Sequence, residues 1–254
     1  MSPLQMGLIV AVLMMTGALA GASLRKRLSE RHFDEETKDV VKLGLGFLAT
    51  LSALVMGLVI SSSKASYDTR NEMVHNAAAL IVQLDASLRQ LGPVADQVRR
   101  AARQDVAATI DQIWPTAGGA AEVPNTEATK NRVGGIQKML FDLPVTNEQQ
   151  RAAQANALKA VADLAQINAV SFTQRGSGVI APLLSVVACW MMLNIAGWNL
   201  FAPHNRMVVA VNVVCSLSVA SAIFLILELD QPFNGIIRIS DAPMRAAHLK
   251  LLEQ

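Results

Sequence analysis

The chain has 254 residues, of which 52% are hydrophobic and 17% are charged, and its mean hydropathy is +0.34. Soluble globular domains carry about 25% charged residues, so this composition excludes an ordinary soluble domain and indicates a membrane protein. The net charge is +2 and no basic run is longer than Arg25-Lys26-Arg27, which argues against a nucleic-acid partner. Cys189 and Cys215 both fall in apolar segments, so they say nothing about the redox compartment.

Four apolar segments are long enough to cross a lipid bilayer, because about 20 residues at ~1.5 Å each span a ~30 Å hydrocarbon core. They are residues 4–24, 43–63, 179–201 and 207–227. The first segment could also be a secretory signal, since Ala18-Leu19-Ala20 is typical of a cleavage site. However, no positive charge precedes this segment and Arg25-Lys26-Arg27 follows it, which favours a retained transmembrane helix.

Two transmembrane hairpins flank a long polar insert, and a short tail follows the last span. In order, these parts are residues 1–63, 64–176, 177–227 and 228–254. The apolar residues of the insert recur at intervals of three and four, which predicts an antiparallel helical bundle with no strand-like alternation. The sequence therefore predicts an all-α fold: a polytopic membrane protein with four transmembrane helices and an inserted extramembrane helical bundle.

No helix-breaking residue lies between the second span and the insert, so one helix is predicted from Leu43 to Leu91, before Gly92-Pro93. A second helix ends at Trp114-Pro115, and residues 116–125 are typical of a flexible linker. Thr146 is expected to cap the last helix of the insert. That helix is expected to bury Leu158, Val161, Ala165, Asn168 and Phe172. The first of these helices is either a simple stalk or a pore-forming helix that continues into a vestibule.

Basic residues are placed unevenly around the first span, which has none before it and four shortly after it. These are Arg25, Lys26, Arg27 and Arg31. Because cytoplasmic loops carry an excess of Lys and Arg, this bias predicts a cytoplasmic first loop, with the insert and both termini outside the cytoplasm. Over all short flanks the count is about seven basic residues against five, so the bias comes mainly from the first span.

One face of the second span carries only small or hydroxylated residues until it ends on a lysine. The residues of this stripe are Gly46, Thr50, Ala53, Gly57, Ser61 and Lys64. Their spacing of three and four places them on one side of a helix. Such a face either packs tightly against another helix or lines a pore. The hydroxyls and the cation of Ser61-Ser62-Ser63-Lys64 would suit an anion that exchanges water for hydrogen bonds, which favours a pore.

Other polar and small residues of the spans are typical of helix packing. Gly17 and Gly21 in the first span are four residues apart and would let two helix backbones approach. Ser218 and Ser221 in the fourth span suit hydrogen bonds between helices. Glu228 is different, because an ionised carboxylate at a membrane edge requires water or a partner.

The segment after the fourth span predicts a latch between the tail and the insert. Pro232 is expected to end the helix, after which Asn234-Gly235 turns the chain. Arg238 would then fold back toward Glu228 and Asp230, or toward two acids just beyond the second span. The latch would consist of Asp68, Arg70, Glu72, Glu228, Asp230, Pro232, Phe233, Gly235 and Arg238. The alternative is that the charged residues beyond the second span form only a solvated face.

No motif of a catalytic, cofactor or metal site is present in the sequence. The 4 histidines are scattered, and there is no G-x-S-x-G, H-E-x-x-H or P-loop pattern and no Cys/His spacing for a metal. We therefore expect no enzyme activity, no cofactor and no metal ion.

Two stretches, SSSKASYDTR after the second span and LELDQPFNGIIRIS after the fourth, resemble the bacterial bestrophin-like domain proteins. That family is distantly similar to the bestrophin anion channels. The resemblance implies a pentameric ion channel in the bacterial inner membrane, with both termini in the cytoplasm, opposite to the charge bias. Calcium-gated members carry an acidic run where this chain has Ile236-Ile237-Arg238, so a calcium site is not expected.

Two functions remain open at this point. One is a homo-oligomeric, anion-leaning ion channel, with the stripe on the second span as the pore lining. The other is a non-conducting membrane scaffold or sensor whose helical insert binds a protein partner.

Overall fold

The computed structural model describes residues 2–28, 34–115, 126–173, 180–203 and 205–253. These residues form α-helices and one short 3-10 helix, Gly92–Ala95, with no strand among them. The helices are α1 (Pro3–Arg27), α2 (Glu35–Leu91), α3 (Asp96–Ile113), α4 (Thr126–Phe141), α5 (Glu148–Thr173), α6 (Ile180–Phe201), α7 (Arg206–Asp230) and α8 (Ala242–Leu252). The predicted all-α class is confirmed, and the linker predicted at residues 116–125 lies outside the described residues.

Four of the helices, α1, α2, α6 and α7, are long and apolar enough to cross a membrane. They contain the four predicted spans apart from residue 179, which lies outside the described residues. The continuous helix expected from Leu43 is confirmed, and α2 begins earlier, at Glu35, and has 57 residues. It ends at Leu91 because Gly92 adopts a φ of 74°, a left-handed conformation that glycine accepts without a steric penalty.

The described chain divides into two compact units, each with its own core. The first unit comprises Met1–Ser66 and Gly176–Gln231, and the second comprises Tyr67–Arg175 and Pro232–Gln254. α2 contributes residues to both, while α1, α6 and α7 belong to the first unit and α3, α4, α5 and α8 to the second.

All four candidate spans contribute to the core of the first unit. Its buried residues are Val10 and Met14 on α1, Met56 and Val59 on α2, Leu184, Val187 and Ala188 on α6, and Ile223 and Ile226 on α7. A second contact joins α2 to α6, where Leu45 fits against Gly197 and the Asn194 side-chain amide donates to the Leu45 carbonyl at 2.7 Å. The amide is thereby satisfied inside an apolar environment, as a buried polar group must be.

The predicted packing role of Gly17 and Gly21 is confirmed, because α6 lies directly against both. A Cβ atom built on Gly21 would stand 2.0 Å from the Ala196 carbonyl oxygen, and one on Gly17 would stand 2.7 Å from the Met192 Cγ. Backbone cannot move away as a flexible side chain can, so Gly21 admits no side chain at this approach distance.

We expect Gly21→Ala to destabilise the protein by about 1–3 kcal/mol, because the new methyl group would force α1 and α6 apart. Thermal unfolding in detergent measures the change. Gly44→Ala is the matched control, since a Cβ atom there meets nothing within 4 Å and alanine favours a helix. Equal midpoints for the two variants would contradict the packing of α1 on α6.

The core of the second unit contains more alanine than the sequence pattern predicts. On α5 the fully buried residues are Ala153, Ala157, Ala160 and Val161, whereas Leu158 is only partly buried. The expected burial of Val161 is confirmed, whereas Leu158 packs against the core from a partly buried position, since the small alanine face packs against α4. Thr146 is not the cap of α5 either, because the Asn147 side chain accepts from the Gln150 backbone N–H at 2.7 Å.

Candidate functional site

One face of α2 is buried within the first unit. Ser52 is 0% exposed, Val59 is 3% and Met56 is 8%. The Ser52 hydroxyl donates to the Leu48 carbonyl at 2.7 Å, so its polar group is satisfied within its own helix. The burial of this face fixes which side of α2 turns away from the rest of the first unit.

The predicted stripe lies on the side of α2 that is exposed. All six positions, Gly46, Thr50, Ala53, Gly57, Ser61 and Lys64, are exposed in the protomer. A Cβ atom built on Gly46 or on Gly57 meets no other atom within 4 Å. The small residues of the stripe are therefore not required for packing within the protomer, in contrast to Gly21 of α1.

Large apolar residues run beside the stripe on the same helix. Leu43, Phe47, Leu54 and Leu58 are between 62% and 75% exposed. Their spacings of four and seven residues place them on one line, adjacent to the small residues. The uncovered surface of α2 thus has an apolar edge beside a smooth line of small residues, and the protomer alone covers neither.

The end of the stripe is hydroxyl-rich. Ser61 and Ser62 are exposed, as is Lys64 one turn further on. Ser63 lies on the opposite, buried side and is 1% exposed. Nearer the start of α2, the Thr50 hydroxyl donates to the Gly46 carbonyl at 3.0 Å. Thr50 therefore presents an acceptor oxygen rather than a donor to its surroundings.

The fourth span ends as the sequence predicts. α7 stops at Asp230, and the Gln231 backbone N–H donates to the Glu228 carbonyl at 3.1 Å. Glu228 is 3% exposed and Asp230 is partly buried. Pro232 begins the turn that follows, which confirms its expected role in ending the helix.

Residues 232–239 form a closed turn that rests on Trp114. The Ile239 N–H donates to the Pro232 carbonyl at 2.9 Å, which closes the turn. The Trp114 ring meets the Phe233 ring edge to face at 5.7 Å, and its indole N–H donates to the Ile239 carbonyl at 2.9 Å. Trp114 was predicted only as a helix end, yet it anchors the tail through both its ring and its N–H.

Arg238 has a local partner in this turn, because its Nε donates to the Gly235 carbonyl at 2.7 Å. Asp68, Arg70 and Glu72 lie on the part of α2 that belongs to the second unit. The predicted pairing of Arg238 with the acids at 68 and 72 or at 228 and 230 stays a prediction.

Two arginines hold the far end of the tail. Asp85 is 4% exposed and accepts from the Nε atoms of Arg89 and Arg99 at 2.7 and 2.8 Å. Arg89 donates in turn to the Lys250 carbonyl at 2.9 Å, and both arginines donate to the Glu253 carbonyl. Carbonyls at the end of a helix have no partner within it, so these donors complete α8. The sequence analysis did not detect this contact.

We expect Trp114→Phe to loosen the turn of residues 232–239, because the Ile239 carbonyl, in a residue only 2% exposed, would lose its donor. A buried acceptor without a donor costs about 1–3 kcal/mol. Limited proteolysis of the tail and thermal unfolding in detergent measure the effect. Trp198→Phe is the control, since Trp198 is 48% exposed. Equal susceptibility of the two variants would contradict the anchoring role.

Among the residues that the structure describes, no three His, Cys, Asp or Glu side chains form a group that could hold a metal ion. The arrangement on α2 instead offers an elongated uncovered face with hydroxyls and a cation at one end. Such a face suits contact with other helices, with lipid or with ions in a pore.

Comparison with known proteins gives the family. Residues 12–244 match the sequence profile of the Bestrophin-like domain, which covers most of the chain. The chain belongs to the bestrophin-like domain family. The resemblance stated from the two stretches after the second and fourth spans is confirmed.

Three crystal structures have the same fold as this bestrophin-like chain. Two are substituted forms of a bacterial bestrophin homologue from Klebsiella pneumoniae, with TM-scores of 0.69 and 0.66 at 15% and 13% identity. They cover 96% of this chain and 97% and 99% of their own. The third is described as a substituted membrane protein, with a TM-score of 0.68, 14% identity, and coverage of 96% and 97%. No curated protein matches the sequence.

Proposed function

We propose that this bestrophin-like protein is a homo-oligomeric ion channel that leans toward anions and whose pore is lined by the exposed face of α2. The observation that carries the proposal is the contrast between the two sides of one helix. Gly46, Ala53 and Gly57 are exposed, with open space at both glycines, whereas Ser52 and Val59 on the other side are buried. Membership of the bestrophin-like family supports the channel function.

An oligomer is required because one protomer with four membrane helices encloses no pore. Copies arranged around an axis would bring the same face of α2 together, as closed symmetry demands. The bulky edge of Leu43, Phe47, Leu54 and Leu58 would then contact a neighbouring copy, and the small residues would border the axis. A pentamer is the number that the family resemblance implies.

Each part of the stripe has a chemical role in this proposal. Ala53 and Gly57 would form a narrow apolar section that closes by loss of water. Ser61 donates hydroxyl hydrogen bonds to an anion at the rim, and Lys64 adds a ring of positive charge that concentrates anions there. The Thr50 hydroxyl donates its hydrogen bond to the Gly46 carbonyl. The hydrogen-bond donors for an anion therefore come from the rim.

Gly57→Leu should abolish ion flux while the oligomer stays intact, because the added side chain would fill the narrow section. Flux from liposomes that contain the purified protein measures conduction, and light scattering in detergent measures assembly. Gly44→Leu is the matched control, since it places the same side chain in open space on another side of α2. An assembled Gly57→Leu protein with unaltered flux would remove this face from the pore, and no flux from the unsubstituted protein would favour the non-conducting scaffold. Loss of assembly would mean that this face packs against a neighbour.

Lys64→Glu should shift selectivity toward cations, because it reverses the sign of a whole ring of charges at the rim. Reversal potentials in planar bilayers with asymmetric chloride measure the change. Lys26→Glu is the control, since Lys26 is exposed on α1 and does not lie on α2. The same reversal potential before and after Lys64→Glu would remove this residue from the pore.

The tail and the acids near it form the second part of the proposal. Glu228, Asp230, Pro232, Phe233, Gly235 and Arg238, together with Asp68, Arg70 and Glu72, act as a structural latch between the tail and the helical insert. The support within the second unit is the closed turn of residues 232–239 and its anchoring by Trp114. Glu228 and Asp230 would extend this latch to the end of α7.

For the orientation in the bacterial inner membrane, the charge bias around the first span places the insert and both termini outside the cytoplasm. The bestrophin resemblance implies the reverse. We expect a cysteine at Gln97, which is exposed on α3, to react with an impermeant maleimide in intact cells. The background is Cys189→Ala with Cys215→Ala, because both native cysteines are free and exposed. Labelling only after lysis would establish the bestrophin orientation.

A further inference from the structure

An open groove of about 490 Å³ lies in the first unit, between α1, the end of α6 and the start of α7. Its apolar wall includes Met15 and Leu19 of α1 and Val208 and Val209 of α7. Leu19 is 64% exposed and Val209 is 57% exposed. Because these helices are candidate spans, exposed apolar side chains here suit contact with hydrocarbon.

The rim of the groove is basic. Arg206, the first residue of α7, is exposed and lines the groove. The first turn of α7 has no acidic residue, so the positive end of the helix dipole adds to the charge of Arg206. Arg25 of α1 donates a hydrogen bond to the Ala202 carbonyl, which also lines the groove.

The two asparagine side chains of the deeper wall are already hydrogen-bonded to each other. Asn199 and Asn212 both line it and bond reciprocally, with donor to acceptor distances of 3.1 and 2.7 Å. Asn212 follows Arg206 by about 9 Å along α7, at 1.5 Å per residue. The groove therefore runs from a basic rim to a region where the amides are already satisfied and the free surface is apolar.

We infer that this groove binds an anionic phospholipid, with its phosphate at Arg206 and one acyl chain against Leu19 and Val209. A basic rim at the end of a membrane helix attracts anionic headgroups, and an apolar wall holds a chain. A soluble phosphate would use only the rim and leave the apolar wall uncovered. This site is independent of the proposed pore, which lies on another helix.

Native mass spectrometry tests the site with the delipidated protein in detergent. The probes are dioleoyl phosphatidylglycerol and dioleoyl phosphatidylcholine, which share their chains and differ in headgroup charge. We expect the anionic lipid to bind roughly fivefold more tightly, because the choline cation of phosphatidylcholine cancels the phosphate charge that one basic residue attracts. Arg206→Gln should remove this preference. Lys26→Gln should keep it, because Lys26 is exposed and does not line the groove.

A second pair of variants tests the apolar wall. Val209→Trp should block both lipids by filling the groove, whereas Val213→Trp, one turn further along α7 and outside the lining, should not. Equal binding of the two lipids, or a preference that survives Arg206→Gln, would overturn the site. Displacement of the anionic lipid by millimolar inorganic phosphate would identify a soluble-anion site instead. A change in oligomer mass with Val209→Trp, without lipid bound to the unsubstituted protein, would identify a contact between copies.

Discussion

The structure depends on the burial of one side of α2, which leaves its small-residue side without cover. Ser52, Met56 and Val59 are held in a core with α1, α6 and α7. That packing fixes the rotation of α2 and so exposes Gly57 and Ala53 on another side. Lipid chains gain few contacts from glycine and alanine, so lipid is a poor cover for this line. Contact with another copy of the chain, or with water around a shared axis, explains this uncovered side of α2 better.

The same helix supplies core residues to both units. Met56 and Val59 belong to the first core, and Leu84, Leu88 and Leu91 belong to the second. α2 continues between them without a proline, and its end is fixed by Gly92. Two arginines of the second unit then complete the end of α8, and Trp114 holds the turn before it. The tail is thus held at both ends by side chains of the second unit.

The elements that the sequence predicts well are those that depend on local chemistry. The four spans follow from length and hydropathy, the continuity of α2 follows from the lack of a breaker, and the tight approach at Gly21 follows from the four-residue spacing of Gly17 and Gly21. The elements that it misses depend on partners far along the chain. Trp114 bonds Ile239, and Asn194 bonds the Leu45 carbonyl, and no local pattern identifies either pair.

Which residues of α5 are buried also depends on a partner that the local sequence does not identify. Hydropathy ranks Leu158 above Ala157, yet Ala157 is 0% exposed and Leu158 is only partly buried. The distance at which a neighbouring helix packs decides between them, and the sequence of α5 does not contain that distance. For the stripe on α2, the spacing predicts a common face, but which surface covers that face depends on copies outside the protomer.

A spin label on Ser61→Cys, in the Cys189→Ala and Cys215→Ala background, tests most directly whether α2 faces a shared aqueous axis. Electron paramagnetic resonance in liposomes reports both the proximity of labels between copies and their access to a water-soluble relaxation agent. If the account is correct, labels at residue 61 broaden one another and are reached by the water-soluble agent, while labels on Val213→Cys of α7 are not. Isolated labels at residue 61 that are relaxed only by lipid-soluble oxygen would contradict it.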